Sequence, residues 1–342
     1  MSYSPPMALI PQPAAKLVSV DPAAPVSDPQ AQPVPPADAP VFGADSSMEK
    51  LTLAVRIANV IGIATPFIGF ILGIAFCWGR GFGWIQLTLF SVMYLATGLG
   101  ITIGYHRLFC HRSFKTSKAM QCVFAILGSM AFEGPVLKWV AVHRCHHQHS
   151  DKPGDPHSPH QHEQTGLWGV IVGMWHAHMG WIFRGDPGNL SRYVPDLQSD
   201  RMLRVVSKSW ALWAAVGVIL PALLGGLLTR SWMGVLIGFL WGGLARIFLV
   251  HHVTWSINSV CHIWGSQPYT NRDHSRNNFL FGFLGLGEGW HNNHHAFPAS
   301  ARHGLRWWEF DISYNLILLM SWLGLAWDIK TPRPSRLGLA MD

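Results

Sequence analysis

The sequence predicts an all-α integral membrane protein: four transmembrane helices in two hairpins, with a cytoplasmic helical cap that holds a metal site. Three observations lead there. Of 342 residues, 49% are hydrophobic and only 13% charged, where a soluble domain would carry about a quarter charged residues. Four stretches stay apolar over the roughly 20 residues that a helix needs to cross hydrocarbon. Histidines cluster at helical spacing close to the ends of those stretches.

The net charge of +7 does not point to nucleic acid. The Lys and Arg are scattered, with no basic stripe and no nucleic-acid motif, whereas positive charge on the cytoplasmic segments of a membrane protein faces anionic lipid. Five cysteines (Cys77, Cys110, Cys122, Cys145, Cys261) form neither a zinc-type pair nor an even disulfide framework, and read as reduced thiols. Cys145 is expected to pack rather than ligate.

Residues 1–45 are rich in Pro, Ala and Val without periodicity, which predicts a disordered tail. The tail lacks the basic-then-apolar pattern of a signal peptide and is expected to stay cytoplasmic. The domain proper runs over 46–333, and 334–342 is a C-terminal tail. The first span covers about 53–78, interrupted only by Arg56 near its start; Pro66 is tolerated in a membrane helix. A turn at 79–83 leads to a second span, about 85–105. Arg107, Arg112, Lys115 and Lys118 then follow, while the hairpin tip holds only Arg80, so the side after Tyr105 is cytoplasmic by the positive-inside rule.

Residues 120–142 are apolar but hold Glu133, Pro135 and Lys138. A crossing here would put histidine clusters on opposite faces, so an interfacial or re-entrant helix pair is expected. Residues 143–208 read as polar and cytoplasmic. The third and fourth spans, about 210–229 and 232–253, form a hairpin with its tip at Arg230-Ser231. Residues 254–342 return to the cytoplasm with an aromatic stretch from Trp307 to Trp327 that lies on the bilayer surface or the cap. Both termini are inside.

His143-Arg144-Cys145-His146-His147 places three imidazoles on one helix face, close enough to share a metal. His291-Asn292-Asn293-His294-His295 repeats the spacing, and His106 and His111 form a pair just past the second span. His262, with Asn258, follows the fourth span. All nine imidazoles can meet at one membrane boundary. Nitrogen-rich sites without thiolate suit zinc, copper, iron or nickel, and nine ligands suggest two ions. His106 and His111 would point about 140° apart on an unbroken α-helix, so the helix must end between them or the two straddle the site. Of the remaining histidines, His149, His157, His160 and His162 are expected in solvent or behind the ligands. His176 and His178 are expected at the interface, His251 and His252 at a helix end, and His274 and His303 on the surface. Gly285-Leu286-Gly287-Glu288-Gly289 follows no strand and is expected to serve close packing rather than phosphate binding.

Gly104-Tyr105-His106-Arg107-Leu108-Phe109-Cys110-His111, the 143–147 cluster, Asp155-Pro156-His157, Asn258 to His262, and Gly287-Glu288-Gly289-Trp290-His291 through Pro298 together resemble membrane fatty acyl desaturases of the stearoyl-CoA type. The likeness runs in order from about 47 to 333. It implies a di-iron centre on His106, His111, His143, His146, His147, His262, His291, His294 and His295, with Asn258 holding a metal-bound water; the division of the nine between two irons stays open. It implies O2 as co-substrate and a cis double bond, most simply near carbon 9 of a saturated C16–C18 chain. The substrate is a fatty acyl-CoA or an acyl lipid. No haem or ferredoxin-type motif is present in the chain, so electrons come from an external donor such as a ferredoxin, cytochrome b5 or a reductase. The bacterial form of the family places the protein in the inner membrane. Trp139 and Thr254 match positions at the bend of the substrate tunnel. Glu133 stands where the family has Gln, Ala141-Val142 where the animal enzymes have an Arg-Asp pair for CoA, and Gly134 where a polar contact would be. The loop between Pro159 and Gly166 is longer than in the animal proteins. The rival readings are a di-iron hydroxylase or ketolase and, from a different class, a metal transport or storage protein; transporters keep their ligands near the bilayer midplane.

Overall fold

The computed structural model describes residues 17–20, 51–78, 83–161, 165–185 and 189–333. A short strand, β1 (Leu17–Val20), precedes α1 (Leu53–Cys77) and α2 (Trp84–Cys110). Strand β2 (Lys115–Thr116) leads to α3 (Lys118–Met130), α4 (Val136–His149) and α5 (Gly166–His178). The short α6 (Pro195–Ser199) and α7 (Arg201–Lys208) come before a second long pair, α8 (Trp210–Thr229) and α9 (Trp232–His262). Then follow α10 (Phe279–Leu284), α11 (His291–Ala296), α12 (Ile312–Trp322), β3 (Ala326–Trp327) and β4 (Ile329–Pro332). Helices α1, α2, α8 and α9 are long and apolar enough to cross a membrane, and most of α1 keeps its apolar side chains outside the protein core.

Local chemistry starts the helices. Hydroxyls of Thr52, Ser117 and Ser231 and the carboxylates of Asp200 and Asp311 accept backbone N–H groups in the first turns of α1, α3, α9, α7 and α12. Glycine sets the closeness of the second hairpin. A Cβ on Gly225 would stand 2.2 Å from the Gly234 carbonyl oxygen, so α8 and α9 touch backbone to backbone. Buried Arg246 ties the bundle together: its guanidinium donates to the carbonyls of Gly242, Met130 (2.8 Å) and Gly217 (2.5 Å).

Several boundaries differ from expectation. The second span continues to Cys110 through wide π-type turns at Gly100–Cys110, and the fourth, which holds π-type turns at Gly238–Ala245, continues to His262 through α turns at Arg246–Ser259 and a final 3-10 turn. Buried Gly100 and Gly104 let α3 pack on the first of these: a Cβ on Gly100 would stand 2.3 Å from the Gly128 backbone nitrogen. Residues 143–208 are not uniformly polar, since α5 packs on α9 and exposes Leu167, Trp168 and Trp175. Residues 120–142 form two helices broken at 131–135. Within the tail expected to be disordered, β1 pairs in parallel with β4, Leu17 opposite Ile329. The rest of that tail, the first hairpin tip at 79–82, His162 and the tail at 334–342 lie outside the described residues.

A candidate dinuclear metal centre beside an apolar cavity

The site is assembled where the ends of α2, α4, α9 and α11 meet. The last turns of α2 are wide, with the His111 N–H bonded to the carbonyl of His106, five residues back, at 3.1 Å. The two imidazoles therefore lie on one side, their ring centres 4.7 Å apart. The helix ends at Cys110, between the two histidines, with His111 as its C-terminal cap, which is the first of the two arrangements that the spacing required. Arg144, between ligand-type histidines on α4, donates to the carbonyls of Phe109 (2.7 Å) and Cys110 (3.2 Å). It thereby satisfies the open end of α2 and fixes it to α4. Its other contacts are to Asp196 and the Tyr193 carbonyl.

The nine histidines separate into two groups. Ligand-type nitrogens of His106, His111, His143, His147 and His294 lie within 4.8 Å of one another, and so do those of His146, His262, His291 and His295. In the first group the Nε2 atoms are 3.1 Å apart for His106 and His294, 2.9 Å for His294 and His147, 3.1 Å for His147 and His143, and 3.3 Å for His143 and His111. In the second, His262 Nε2 is 3.0 Å from His291 Nε2. The groups adjoin, with the His147 and His295 rings stacked 4.6 Å apart.

Carboxylates stand behind four of these rings. Glu288 meets His106 Nδ1 at 2.6 Å, Asp155 meets His146 Nδ1 at 2.9 Å, Asp151 meets His262 Nδ1 at 2.8 Å, and Asp273 meets His295 Nδ1 at 2.7 Å. A carboxylate accepting at Nδ1 holds the proton there and turns the Nε2 lone pair inward. Although burial raises them, Asp151 and Asp273 are pulled below the usual carboxylate range by His262 and His295, and Asp155 is pulled down to about 2 by His146. Burial first, then neighbouring charged groups, drives His111, His143, His147, His291 and His294 well below the ordinary histidine range, so they are neutral. His146 rises, because Asp155, Asp151 and Asp273 together outweigh its burial.

This donor set fits metal ions. Inward lone pairs at about 3 Å repel unless a cation sits among them, and the Nε2 atoms of His146 and His295 are buried without a hydrogen-bond partner. Nitrogen ligands with carboxylates one layer out are the arrangement expected of a transition-metal site.

A cavity of about 470 Å³ opens beside both groups. His106 and His143 of the first group and His291 of the second contribute to its wall, with Trp139, Thr254, Asn258 and Glu133. The indole of Trp139 stacks on His143, ring centres 5.1 Å apart, and donates from Nε1 to Glu133 Oε2 at 2.9 Å. Burial pushes the Glu133 carboxyl up to about 7.

Among the other histidines, His303 is a correction. It is buried at 0% exposure, not on the surface, and its ring lies 4.5 Å from His294. The arrangement that buries it comes from backbone hydrogen bonds to Asp311 and Asn293, 8 and 10 residues away, which follow no His spacing, so the cluster pattern carried no signal for it. His157 is buried 4.5 Å from the His146 ring, on the cavity wall. His160 is exposed and bonds the His262 carbonyl, His178 bonds His252, and His274 is exposed beside His160. Cys145 is buried and hydrogen-bonds the Gly154 carbonyl, consistent with packing. The glycine stretch before His291 does serve close packing: a Cβ on Gly289 would stand 2.1 Å from the Gly282 nitrogen.

Comparison with known proteins adds a family. A family model described as fatty acid desaturase matches residues 82–317. The chain is 42% identical over 268 residues, 78% of this chain and 84% of the other, to a hex-5-enoyl-[acyl-carrier protein] acetylenase of Moorena producens. It is 40% identical over 255 residues to an sn-1 stearoyl-lipid 9-desaturase of Synechocystis, covering 73% of this chain and 74% of that one. A delta-9 acyl-lipid desaturase of Arabidopsis thaliana is 36% identical over 281 residues, 82% of this chain and 86% of its own.

Proposed function

The chain belongs to the fatty acid desaturase family and is an oxidoreductase that desaturates fatty acyl chains; on that premise, we propose that it introduces a cis double bond near carbon 9 of a saturated C16–C18 acyl chain. The observation that carries the reading is the position of two imidazole groups on the wall of one apolar cavity. In this reading residues 46–333 are the catalytic unit. His106, His111, His143, His147 and His294 hold one iron, and His146, His262, His291 and His295 the other, with Asn258 holding a water. Two irons with O2 would supply the oxidation that takes one hydrogen from each of two neighbouring methylenes, with electrons from an outside protein donor.

The chain's own residues do the rest. The four carboxylates behind the rings keep the Nε2 lone pairs inward. The apolar wall keeps water from the reacting carbons, and the protein's task is placement because the C–H bond is beyond side-chain acid–base chemistry. Trp139, held by Glu133, and Thr254 shape the bend in which the chain lies. Ala141 and Val142 offer no charge for a CoA head group, and the relatives named above act on lipid-bound or carrier-bound chains. A lipid-bound or carrier-bound acyl chain is therefore favoured over the CoA thioester. Arg112, Lys115 and Lys118 at the site end of the bundle support a cytoplasmic position for that end; in this reading both termini share that side of a bacterial inner membrane.

The likeness to an acetylenase supports a second reading, in which the cavity takes a chain that already carries a double bond. Gas chromatography–mass spectrometry of fatty acids from a desaturase-deficient host tests both. New cis-monoenes with the intact chain, absent with His147→Ala, are expected. Alkynes would move the assignment to the acetylenase, hydroxylated chains to a hydroxylase. An unchanged profile with iron bound and a competent donor present would remove the proposal.

A further inference from the structure

His303 is the tenth imidazole at the centre, and neither the family's histidine pattern nor the two ligand groups include it. Its side chain is fully buried, and neither ring nitrogen has a hydrogen-bond partner. A core imidazole ordinarily finds at least one. Its backbone is clamped on both sides: the N–H donates to Asp311 Oδ2 at 2.7 Å, and the carbonyl accepts from Asn293 Nδ2 at 2.9 Å. Asn293 sits inside the α11 ligand cluster, and Asp311 receives the Arg107 guanidinium at 3.1 Å. The ring is thereby held 4.5 Å from His294 and 5.4 Å from His106, centre to centre. The Nε2 atoms of those two ligand-type residues lie 3.1 Å apart.

One polar atom that faces His303 Nδ1 is informative. It is Glu288 Oε2, at 3.5 Å, the same oxygen that His106 Nδ1 meets at 2.6 Å. The other Glu288 oxygen is taken by Arg107. A separate cation among His106, Glu288 and His303 is disfavoured, because Glu288 Oε2 already meets His106 Nδ1 at 2.6 Å and its other oxygen meets the Arg107 guanidinium. A single carboxylate oxygen can accept from two Nδ1–H groups. Burial, then Arg107 and His106, keeps His303 neutral.

We propose that His303 is a positioning residue of the metal centre: its Nδ1 faces, at 3.5 Å, the same Glu288 Oε2 that His106 Nδ1 contacts, and its ring backs His294. It thus fixes the aim of two of the five imidazoles in the first group. The proposal rests on the reading that this group holds an iron.

The test uses the full chain in detergent, with iron content, the rate of iron release to a chelator, 57Fe Mössbauer spectra and melting temperature measured together. The variants are His303→Asn, which keeps an N–H donor where Nδ1 stands, His303→Gln, which places its amide nearer Nε2, and His303→Phe, which keeps ring volume alone. Loss of an outer residue of this kind weakens metal binding about 10–100-fold. Release is expected to quicken by that factor in the Gln and Phe variants, with an altered signal from one iron and an unchanged melting temperature. The Asn variant is expected to restore the wild-type rate and spectrum. Wild-type release and spectra in the Phe variant would overturn the proposal, as would rescue by Gln and not by Asn. If the Phe variant fails to fold, the Asn and Gln pair still decides it, since neither adds volume. His147→Ala is the separate control: iron retained there would instead remove the underlying ligand assignment.

Discussion

His111 and His106 are joined by a hydrogen bond that spans five residues, from the His111 N–H to the His106 carbonyl at 3.1 Å, and their rings meet at 4.7 Å. In a regular α-helix that spacing would turn the two apart by about 140°. The wide turn removes the divergence, and glycines at 100 and 104 let α3 pack against it. Geometry in the helix backbone therefore decides whether this pair can face one ion.

Gly100→Ala tests that dependence. The new Cβ would stand 2.3 Å from the Gly128 nitrogen and 2.4 Å from the Leu127 carbonyl carbon, backbone atoms that cannot rotate away. Overpacking of this kind costs roughly 1–3 kcal/mol. A lower melting temperature together with reduced iron content is expected; an unchanged iron content would separate the turn from the ligands.

His147→Ala is expected to abolish desaturation and lower bound iron, because His147 Nε2 lies 3.1 Å from His143 Nε2 and 2.9 Å from His294 Nε2. His160→Ala is expected to do little. Its exposed ring bonds the His262 carbonyl, and such a bond contributes about 1 kcal/mol. Fatty-acid profiles and metal analysis of the two variants give the contrast, and full activity in His147→Ala would remove that cluster from the centre.

Glu133 confers a pH dependence of definite sign. Burial raises its carboxyl to about 7, so between the ordinary carboxylate range and that value the folded protein binds more protons than the unfolded chain. Stability must then fall as pH rises through that window, by on the order of 3 kcal/mol, and level off above it. Glu133→Gln keeps a side chain of the same shape without the ionisation, and its melting temperature is expected to lose that slope. Parallel slopes in both proteins would assign the dependence elsewhere.

Arg246→Leu is expected to unfold or severely weaken the bundle. The carbonyls of Gly242, Met130 and Gly217 would lose their donor in a buried place. Each orphaned carbonyl costs roughly 1–3 kcal/mol. The check is detergent-solubilised melting; a melting temperature within a few degrees of wild type would show that other donors replace the guanidinium.

Much of this protein was legible from residue order. The apolar lengths of the four spans, the HxxHH spacing at 143–147 and 291–295, and the change to polar residues at the span ends are local properties of the chain. They determine that helices cross a bilayer and that imidazoles gather at one end, because apolar length and side-chain periodicity act over a few turns. Tertiary structure decided the rest. The five-and-four division of the imidazoles depends on which ring nitrogens converge from α2, α4, α9 and α11. The wide turn at His106 depends on glycine contacts with α3. His303 belongs to no spacing pattern; Asp311 and Asn293 carry it into the centre through backbone hydrogen bonds. Contacts between residues far apart in sequence leave no periodic trace along the chain, so only the folded arrangement brings them into view.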